Sequence, residues 1–369
     1  MNWSGSESGE MKQYFVLGSY TEPILFGTGE LFQGKGRGIS ICSFEGGVIE
    51  VISEIALKNP SFLCIDEPRR KIYSVNELKE YLGKWGGGLT QLSYGEDLSI
   101  VEEGTWNVGG TDPCHIELSP NGRFVAIANF ANGSVTSFSI DGSGAVVDGS
   151  RSIIAHEGQS LHPIRQRGPH AHSCVFSKDG KLMLVPDLGI DRVVMYTYEG
   201  DRLTPAAELD IVVPPGSGPR YGEFSKDGTR FYLINEISSQ VMVFSYEEGD
   251  FSLLQTVHTL PDDFTGDNIC SDLHVTGDGT MLYASNRGHD SIVSYRVVEN
   301  GLLAFVDRQG CGGKTPRNFA IDPTDSFVLV GNQDSDDITI FAITETGALH
   351  LVNQFHTGSP VCIRFLHTT

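Results

Sequence analysis

The sequence has no run of 18 consecutive apolar residues, which excludes a membrane-spanning helix. Its first residues include neither a basic nor an apolar segment, so they do not form a secretory signal, and we expect residues 1–12 to be a disordered polar tail. Basic residues are scarce, because 26 Lys and Arg stand against 47 Asp and Glu and leave a net charge of −21. This charge repels nucleic acid and anionic lipid, so neither is expected as a partner.

The sequence also lacks a Cys-x-x-Cys pair, which argues against a zinc ribbon and a disulfide scaffold. Its seven cysteines stand far apart, at positions 42, 64, 114, 174, 270, 311 and 362. Reduced thiols on the strands of a cytoplasmic protein explain this spacing best, and we expect that location. No Gly-x-Ser-x-Gly motif is present, so a serine hydrolase is disfavoured. Sustained helical periodicity is missing as well.

What the sequence does contain is an internal repeat. The segment 113–129 recurs at 219–235, and related segments begin at residues 60, 171, 270, 316 and 360, so successive starts are 53, 58, 48, 51, 46 and 44 residues apart. Each unit has two β-rich runs around a turn such as Asn121-Gly122, which is a strong hairpin signal, and a third run usually follows. This period is typical of the four-stranded blades of a propeller.

The seventh repeat has only one strand, Pro360–Phe365, before the chain ends. Near the other end, Tyr14–Tyr20 resembles the second strand of a unit and Gly38–Phe44 the third. We therefore predict an all-β fold, a single seven-bladed β-propeller over residues 13–369, whose last blade is closed by the N- and C-terminal strands. Such closure removes a free sheet edge.

Equivalent positions of the repeats can be compared by counting from the turn glycine, with Arg69 and Asp325 in its place in two units. Position +7 is always Asn or Asp: Asn76, Asn129, Asp187, Asn235, Asn286 and Asn332. A side chain that recurs in every blade is expected to build the blade by bonding to nearby backbone. The alternative is a ring of oxygen ligands for a cation such as calcium.

Positions −8 and +8 differ from blade to blade, as residues of a site would. Position −8 holds Ser61, Cys114, His172, Arg220, Ser271 and Arg317. Position +8 holds Glu77, Phe130, Leu188, Glu236, Arg287 and Gln333. Both positions can lie at one mouth of the central channel, the usual ligand site of a radial fold. A solvated rim of ion pairs is the alternative.

The longest connection, residues 156–172, is polar and rich in His and Arg, and such loops are often functional. His170 and His172 are two apart and would point the same way on an extended chain. They could bind zinc, but no third ligand is evident nearby. A hydrogen-bonding or acid–base role is favoured over zinc binding, and purely structural histidines remain a further alternative.

Several of these motifs together resemble the seven-bladed lactonase family over residues 14–366. They are His156-x-Gly-x-Ser, Arg165-Gln166, Pro169-His-x-His172, Asp187-Leu-Gly-x-Asp-Arg-Val193, Asn235-Glu236, Asn286-Arg287 and Pro316-Arg317. The family includes the propeller type of 6-phosphogluconolactonase and the fungal carboxy-cis,cis-muconate cyclase. By motif, the resemblance implies the catalytic residues His172, Glu236, Arg220 and Arg287. As substrate-binding residues we expect His170, Arg317, His115 and Gln333. Extra length at Glu22–Gly36 and Lys79–Gly88 could reshape the pocket.

The expected function is hydrolysis of a sugar-acid lactone, 6-phosphogluconolactonase-like, without metal or cofactor. Either His172 or Glu236 would act as general base on water, while Arg220 and Arg287 would hold an anionic group or stabilise the oxyanion. A muconate-cyclase type of lactone closure, a calcium-dependent lactonase and a non-catalytic binding platform are the alternatives. The expected partner is a small lactone or sugar acid, and the oligomeric state is left open.

Overall fold

Each repeat of the sequence forms one antiparallel sheet in the computed structural model, which describes residues 12–366. In chain order the strands are β1 (Gln13–Ser19), β2 (Pro23–Leu25), β3 (Leu31–Gln33), β4 (Ile39–Glu45), β5 (Val48–Ile55), β6 (Leu63–Asp66), β7 (Lys71–Asn76), β8 (Glu80–Tyr81), β9 (Lys84–Trp85), β10 (Gly88–Tyr94), β11 (Ile100–Asn107), β12 (Pro113–Leu118), β13 (Phe124–Asn129), β14 (Ser134–Ser139), β15 (Ser152–Ala155), β16 (Val175–Phe176), β17 (Leu182–Asp187), β18 (Arg192–Glu199), β19 (Arg202–Pro205), β20 (Ile211–Val212), β21 (Pro219–Phe224), β22 (Arg230–Asn235), β23 (Gln240–Glu247), β24 (Asp250–His258), β25 (Ile269–Val275), β26 (Met281–Arg287), β27 (Ser291–Val297), β28 (Leu303–Gly310), β29 (Pro316–Ile321), β30 (Phe327–Asn332), β31 (Asp337–Ile343), β32 (Leu349–His356) and β33 (Pro360–Leu366). The helical segments in this part of the chain are two 3-10 turns, Ala207–Leu209 and Glu299–Gly301, and neither could cross a bilayer.

Apart from β2, β3, β8 and β9, these strands form seven blades around one axis, which confirms the predicted fold. Blade 1 contains β6, β7, β10 and β11; blade 2, β12 to β15; blade 3, β16 to β19 with β20 beside β18; blade 4, β21 to β24; blade 5, β25 to β28; blade 6, β29 to β32; and blade 7, β33, β1, β4 and β5. The first-named strands of neighbouring blades contact one another and surround the axis. The predicted tail lies outside the described residues except for Lys12.

Blade 7 joins the two ends of the described chain. Its innermost strand is β33, which pairs antiparallel with β1, and Phe15 lies opposite Phe365 in this pairing. β4 and β5 complete the sheet. The closure predicted from Pro360–Phe365, Tyr14–Tyr20 and Gly38–Phe44 is therefore confirmed.

The hydrophobic core is divided into seven layers, one between each pair of neighbouring blades. Strands of the inner rows are mostly buried on both faces, whereas the outermost strands are largely exposed. Each blade is thus held by apolar contacts with both neighbours, and removal of one layer opens the ring.

Position +7 carries a structural hydrogen bond in the blades, in agreement with the interpretation preferred from the sequence. The amide of Asn129 donates to the carbonyl of Ser134 and the hydroxyl of Thr136 on the next strand. Asn332 does the same toward Thr339. These fully buried amides tie the second strand of a blade to the third.

The closing strand gives a test of ring integrity. Ile363 lies on β33 and is buried in the layer between blades 6 and 7. We expect Ile363→Ala to lower the free energy of unfolding by about 2–5 kcal/mol, measured by urea denaturation. Ile153→Ala, on the exposed edge strand β15, is the control and should change it by less than about 0.5 kcal/mol. Equal effects of the two changes would contradict the role given to blade 7.

Candidate functional site

The variable positions −8 and +8 meet at one cavity of about 620 Å³. Those positions contribute charged or polar side chains to its wall, among them Glu77, His172, Glu236, Arg287, Arg317 and Gln333. Six of the seven blades take part in the wall. The channel-mouth site predicted by comparing the repeats is therefore present as a cavity, and the members of the repeat that vary most are the ones that face it.

A recurring backbone bond fixes the residue at position +8. In five blades its amide donates to the carbonyl of the residue at position −10. The accepting residues are Asn59, Asp112, His170, Gly218 and Thr315, and all of them except His170 have a left-handed backbone. Glu236, for example, donates to Gly218, where a glycine adopts φ +67° without strain. The fold therefore holds the side chains at this position on a rigid frame rather than on a mobile loop.

The carboxylate of Glu236 is the centre of a buried ion cluster. It is 1% exposed and accepts hydrogen bonds from three guanidinium groups. Arg165 donates to Oε1, while Arg220 Nε and Arg287 Nη2 donate to Oε2 at 3.0 and 2.8 Å. Burial alone would raise the pKa of Glu236, but Arg165, Arg287 and Arg220 hold it well below the usual range. One anion and three cations leave a net local charge of +2.

The three arginines reach Glu236 from different parts of the fold. Arg220 begins the innermost strand of blade 4 and also donates to the carbonyl of Ser271, and it lies behind the cavity wall rather than in it. Arg287 ends β26, and burial lowers its pKa to about 9, so it stays charged at neutral pH. Arg165 comes from the long connection before blade 3. It was not among the predicted site residues, although the Arg165-Gln166 motif carries part of the family resemblance.

The imidazole of His172 lies beside this cluster and is neutral. Burial, followed by the field of Arg220, lowers its pKa well below the ordinary value. Its Nδ1 is 3.8 Å from the Cys114 thiol, and its ring meets Phe130 edge-on at 5.5 Å. Within residues 12–366 no hydrogen bond is made to Nε2, and the residue lines the cavity. A neutral ring nitrogen that faces a cavity can accept a proton.

A second carboxyl, that of Glu77, faces the cavity from blade 1. The hydroxyl of Tyr20 donates to its Oε2 at 2.7 Å, and Arg317 Nη2 is 3.9 Å from the same oxygen. The Arg317 guanidinium also lies over the rings of Tyr20 and Phe26, at 5.2 and 5.3 Å. Glu77 and Tyr20 were not predicted as site residues. Glu77 occupies position +8 of its repeat, as Glu236 does, and this shared position could have identified it as a site residue from the sequence.

The remaining predicted residues divide between the cavity and its surroundings. Arg317 and Gln333 line it. His170 does not, because its Nδ1 bonds to the carbonyl of Phe130 at 2.8 Å and its ring stacks on the Phe130 ring. His115 is buried deeper along the axis against Phe62, at 4.1 Å between ring centroids. The structure thus does not bring these two histidines to the cavity.

The chain around His170 and His172 is not a regular strand, and the rings of both residues contact the Phe130 ring. Only one isolated bridge, Ala171 to Asp187, precedes the short strand β16. The carboxylate of Asp187 binds the amide of His170 instead. Among the described residues, no group of three or more His, Cys, Asp or Glu is placed to hold a metal ion.

Both extra segments form small hairpins. The first consists of β2 and β3, and its turn residues Gly27 and Thr28 line the cavity. Phe26 and Phe32 of this hairpin pack on Tyr20, so the hairpin is anchored beside Glu77. The second consists of β8 and β9 and does not reach the wall, although Lys79 before it pairs with Asp112. Of the two segments, only the first therefore contributes to the mouth of the cavity.

The residues of the ion cluster should affect the free energy of unfolding jointly rather than independently. Removing the only anion leaves three buried guanidinium groups without a counterion, so we expect Glu236→Gln to lower the free energy of unfolding by about 3–5 kcal/mol in urea denaturation. Combining it with Arg165→Met should cost less than the sum of the single changes. Glu54→Gln, which removes the exposed pair with Arg37, is the control and should change stability by less than about 0.5 kcal/mol. If the losses of stability in the two single variants simply added up in the double variant, the coupling of these residues would be contradicted.

The family of this chain follows from comparisons with known proteins. Residues 14–365 match the family described as lactonase, 7-bladed beta-propeller. The chain is 32% identical to a 6-phosphogluconolactonase of Bacillus subtilis, over 84% of this chain and 88% of that protein. It is also 32% identical to a 6-phosphogluconolactonase of Formosa agariphila, over 86% and 92%.

A solved structure, the periplasmic gluconolactonase PpgL of Pseudomonas aeruginosa, is similar in fold as well. It superposes with a TM-score of 0.87 at 32% identity, covering 96% of this chain and 99% of that one. The resemblance inferred from the motifs is thereby confirmed, and the chain belongs to the family of seven-bladed β-propeller lactonases.

Proposed function

We propose that this protein hydrolyses the ester bond of a sugar-acid lactone with water as nucleophile and without a metal ion. The observation that carries the proposal is the neutral imidazole of His172 beside a buried cluster of net charge +2, both at the wall of one cavity. The relatives named 6-phosphogluconolactonase and gluconolactonase support the lactone as the substrate class.

His172 suits the role of general base better than Glu236 does. Both Glu236 oxygens already accept hydrogen bonds from arginines, and the depressed pKa makes this carboxylate a weak base. His172 lines the cavity, and its pKa well below 6.5 keeps it unprotonated at neutral pH. We assign to Glu236 the task of orienting Arg220 and Arg287.

The cluster would stabilise the charge that forms during the reaction. Attack of water on the lactone carbonyl forms a carbon–oxygen bond and moves an electron pair onto the carbonyl oxygen, while the proton of water passes to His172. Arg287 lines the cavity and stands ready to bind this oxyanion, with Arg165 beside it. When the oxyanion collapses, the ring carbon–oxygen bond breaks and the ring oxygen departs as the alcohol of the open-chain acid.

The same side chains could in principle run lactone closure, as in the muconate-cyclase alternative. Hydrolysis is favoured because the relatives above are named for it. The binding-platform alternative offers no reason to bury one carboxylate and three guanidinium groups at a cavity, which is costly in desolvation. The remaining alternative, a calcium-dependent lactonase, would lose its activity when a chelator removes the calcium.

We further propose a single lactonase domain over residues 13–369 that acts in the cytoplasm on a small molecule. All seven cysteines are buried and unpaired, as expected in a reducing compartment. The net charge of −21 disfavours nucleic acid and anionic membranes as partners.

A lactone panel tests this function directly. Purified protein with EDTA should release acid from at least one of glucono-1,5-lactone and its 6-phosphate above the spontaneous rate, followed in a pH-stat. His172→Ala and Arg287→Ala should each lower turnover by at least about 10²-fold, because one loses the base and the other an oxyanion donor. Absence of acid release above background from both lactones, or near-wild-type turnover in either variant, would reject the proposal.

The pH dependence tests the assignment of the base. His172 must be neutral to accept a proton. Burial and the positive charge of Arg220 keep its pKa well below 6.5, and Arg317 and Arg287 lower it further. The negative charge of Glu236 acts in the opposite direction. We therefore expect the rate to hold as pH falls through 6.5 and to decline only below it. Arg220→Gln should raise the pKa of His172 and move this decline to higher pH. A decline that does not move would contradict His172 as the base.

A further inference from the structure

Two carboxyl groups face the cavity from opposite sides. Glu77 belongs to blade 1 and Glu236 to blade 4, and blades three apart in a ring of seven stand across the axis from each other. The residues around Glu236 come from blades 3 to 5 and the connection before them, whereas Tyr20 and Arg317 beside Glu77 come from blades 7 and 6. The hydrolysis proposed above uses only the residues around Glu236.

The surroundings of the two carboxyls differ in kind. Three guanidinium groups bond to Glu236, but none is within hydrogen-bond distance of Glu77, whose nearest guanidinium nitrogen is 3.9 Å away. The carboxyl of Glu77 accepts a hydrogen bond from a neutral phenol at Oε2, and Ser61, the other hydroxyl that lowers its pKa, is neutral as well. Neutral partners allow the carboxyl to hold its own proton. A pair of carboxyls in contrasting environments is the usual division between a neutral acid and an ionised group.

Electrostatics agree with this contrast. Burial raises the pKa of Glu77, an effect that Arg317 and Tyr20 reduce and Asp112 reinforces. The neighbouring Tyr20 and Cys114 remain uncharged, because burial raises the pKa of each well above its ordinary value. Glu77 therefore keeps its proton to a higher pH than an ordinary glutamic acid, whereas Glu236 loses its proton more easily.

We propose that Glu77 is the general acid of the lactonase reaction and that Tyr20 and Arg317 are its positioning residues. This inference rests on the proposed function, because Glu77 would supply the proton that the departing ring oxygen needs in that mechanism. As the ring carbon–oxygen bond breaks, its electron pair stays on the ring oxygen, which takes the proton of Glu77. His172 then holds the proton of water and Glu77 is a carboxylate, and proton exchange with solvent restores both before the next turnover.

The neighbours of Glu77 hold it in this role. Tyr20 is fully buried at the end of β1, and its hydroxyl can donate to the carboxyl in either protonation state. Arg317 is fixed over the rings of Tyr20 and Phe26. Phe26 belongs to the extra hairpin of β2 and β3, so this insertion supports the acid side of the site. General acids of this kind contribute about 10²–10⁴-fold.

The test is the basic limb of the rate against pH, measured on the lactone that the wild-type protein hydrolyses. Because the acid must be protonated, wild-type turnover should fall as pH rises through the pKa of Glu77. Glu77→Gln should lower turnover by at least about 10²-fold and abolish this limb. Tyr20→Phe removes a hydrogen bond that favours the carboxylate, so the limb should move to higher pH.

Glu117→Gln is the matched control, since Glu117 is a partly buried glutamate that also has a raised pKa but lies outside the cavity wall. This change should leave both the turnover and the limb unchanged. A wild-type limb that persists in Glu77→Gln, or one that stays in place in Tyr20→Phe, would overturn the role of Glu77 while leaving the lactonase proposal intact. Inactivity of the wild-type protein on every lactone would instead reject the proposed function itself.

Discussion

The contact between the Glu236 carboxylate and three arginines is the interaction on which the site depends. It places a net charge of +2 inside a protein whose overall charge is −21, so this cluster can attract an anionic transition state despite the negative charge of the whole protein. The cluster is costly to desolvate, and its presence is therefore better explained by chemistry than by stability. It also lowers the proton affinity of His172, which keeps the imidazole available as a base.

The propeller is what allows such a cluster to form. Arg165, Arg220 and Arg287 are far apart in sequence, yet each stands at a corresponding end of a blade or in a connection between blades. The recurring bond between position +8 and position −10 fixes where the side chain of Glu236, their common partner, begins. The seven apolar layers hold the blades in register, and the closure by β33 prevents the ring from opening. Rigid positioning is thus a property of the repeat itself.

Much of this was accessible from the sequence because the repeat assigns each residue a place around an axis. The seven blades, the closure of the last blade and the grouping of His172, Glu236 and Arg287 at one cavity follow from it. Other features depend on irregular backbone, for which the repeat offers no rule. Arg165 lies in a long connection, His170 turns onto Phe130 where strand pairing fails, and His115 sits next to a shift in register that follows Pro113. Glu77 was overlooked because its partners, Tyr20 and Arg317, come from other blades.

The central claim is that a lactone is held between two chemically different sides of one cavity, the ion cluster around Glu236 and the carboxyl of Glu77 with its raised pKa. A crystal structure of the protein with bound gluconate, the product of glucono-1,5-lactone hydrolysis, tests it most directly. The account predicts the carboxylate beside Arg287 and His172 and the hydroxyl released from the ring toward Glu77. Gluconate bound away from this cavity, or with its carboxylate and that hydroxyl both turned from these groups, would contradict it.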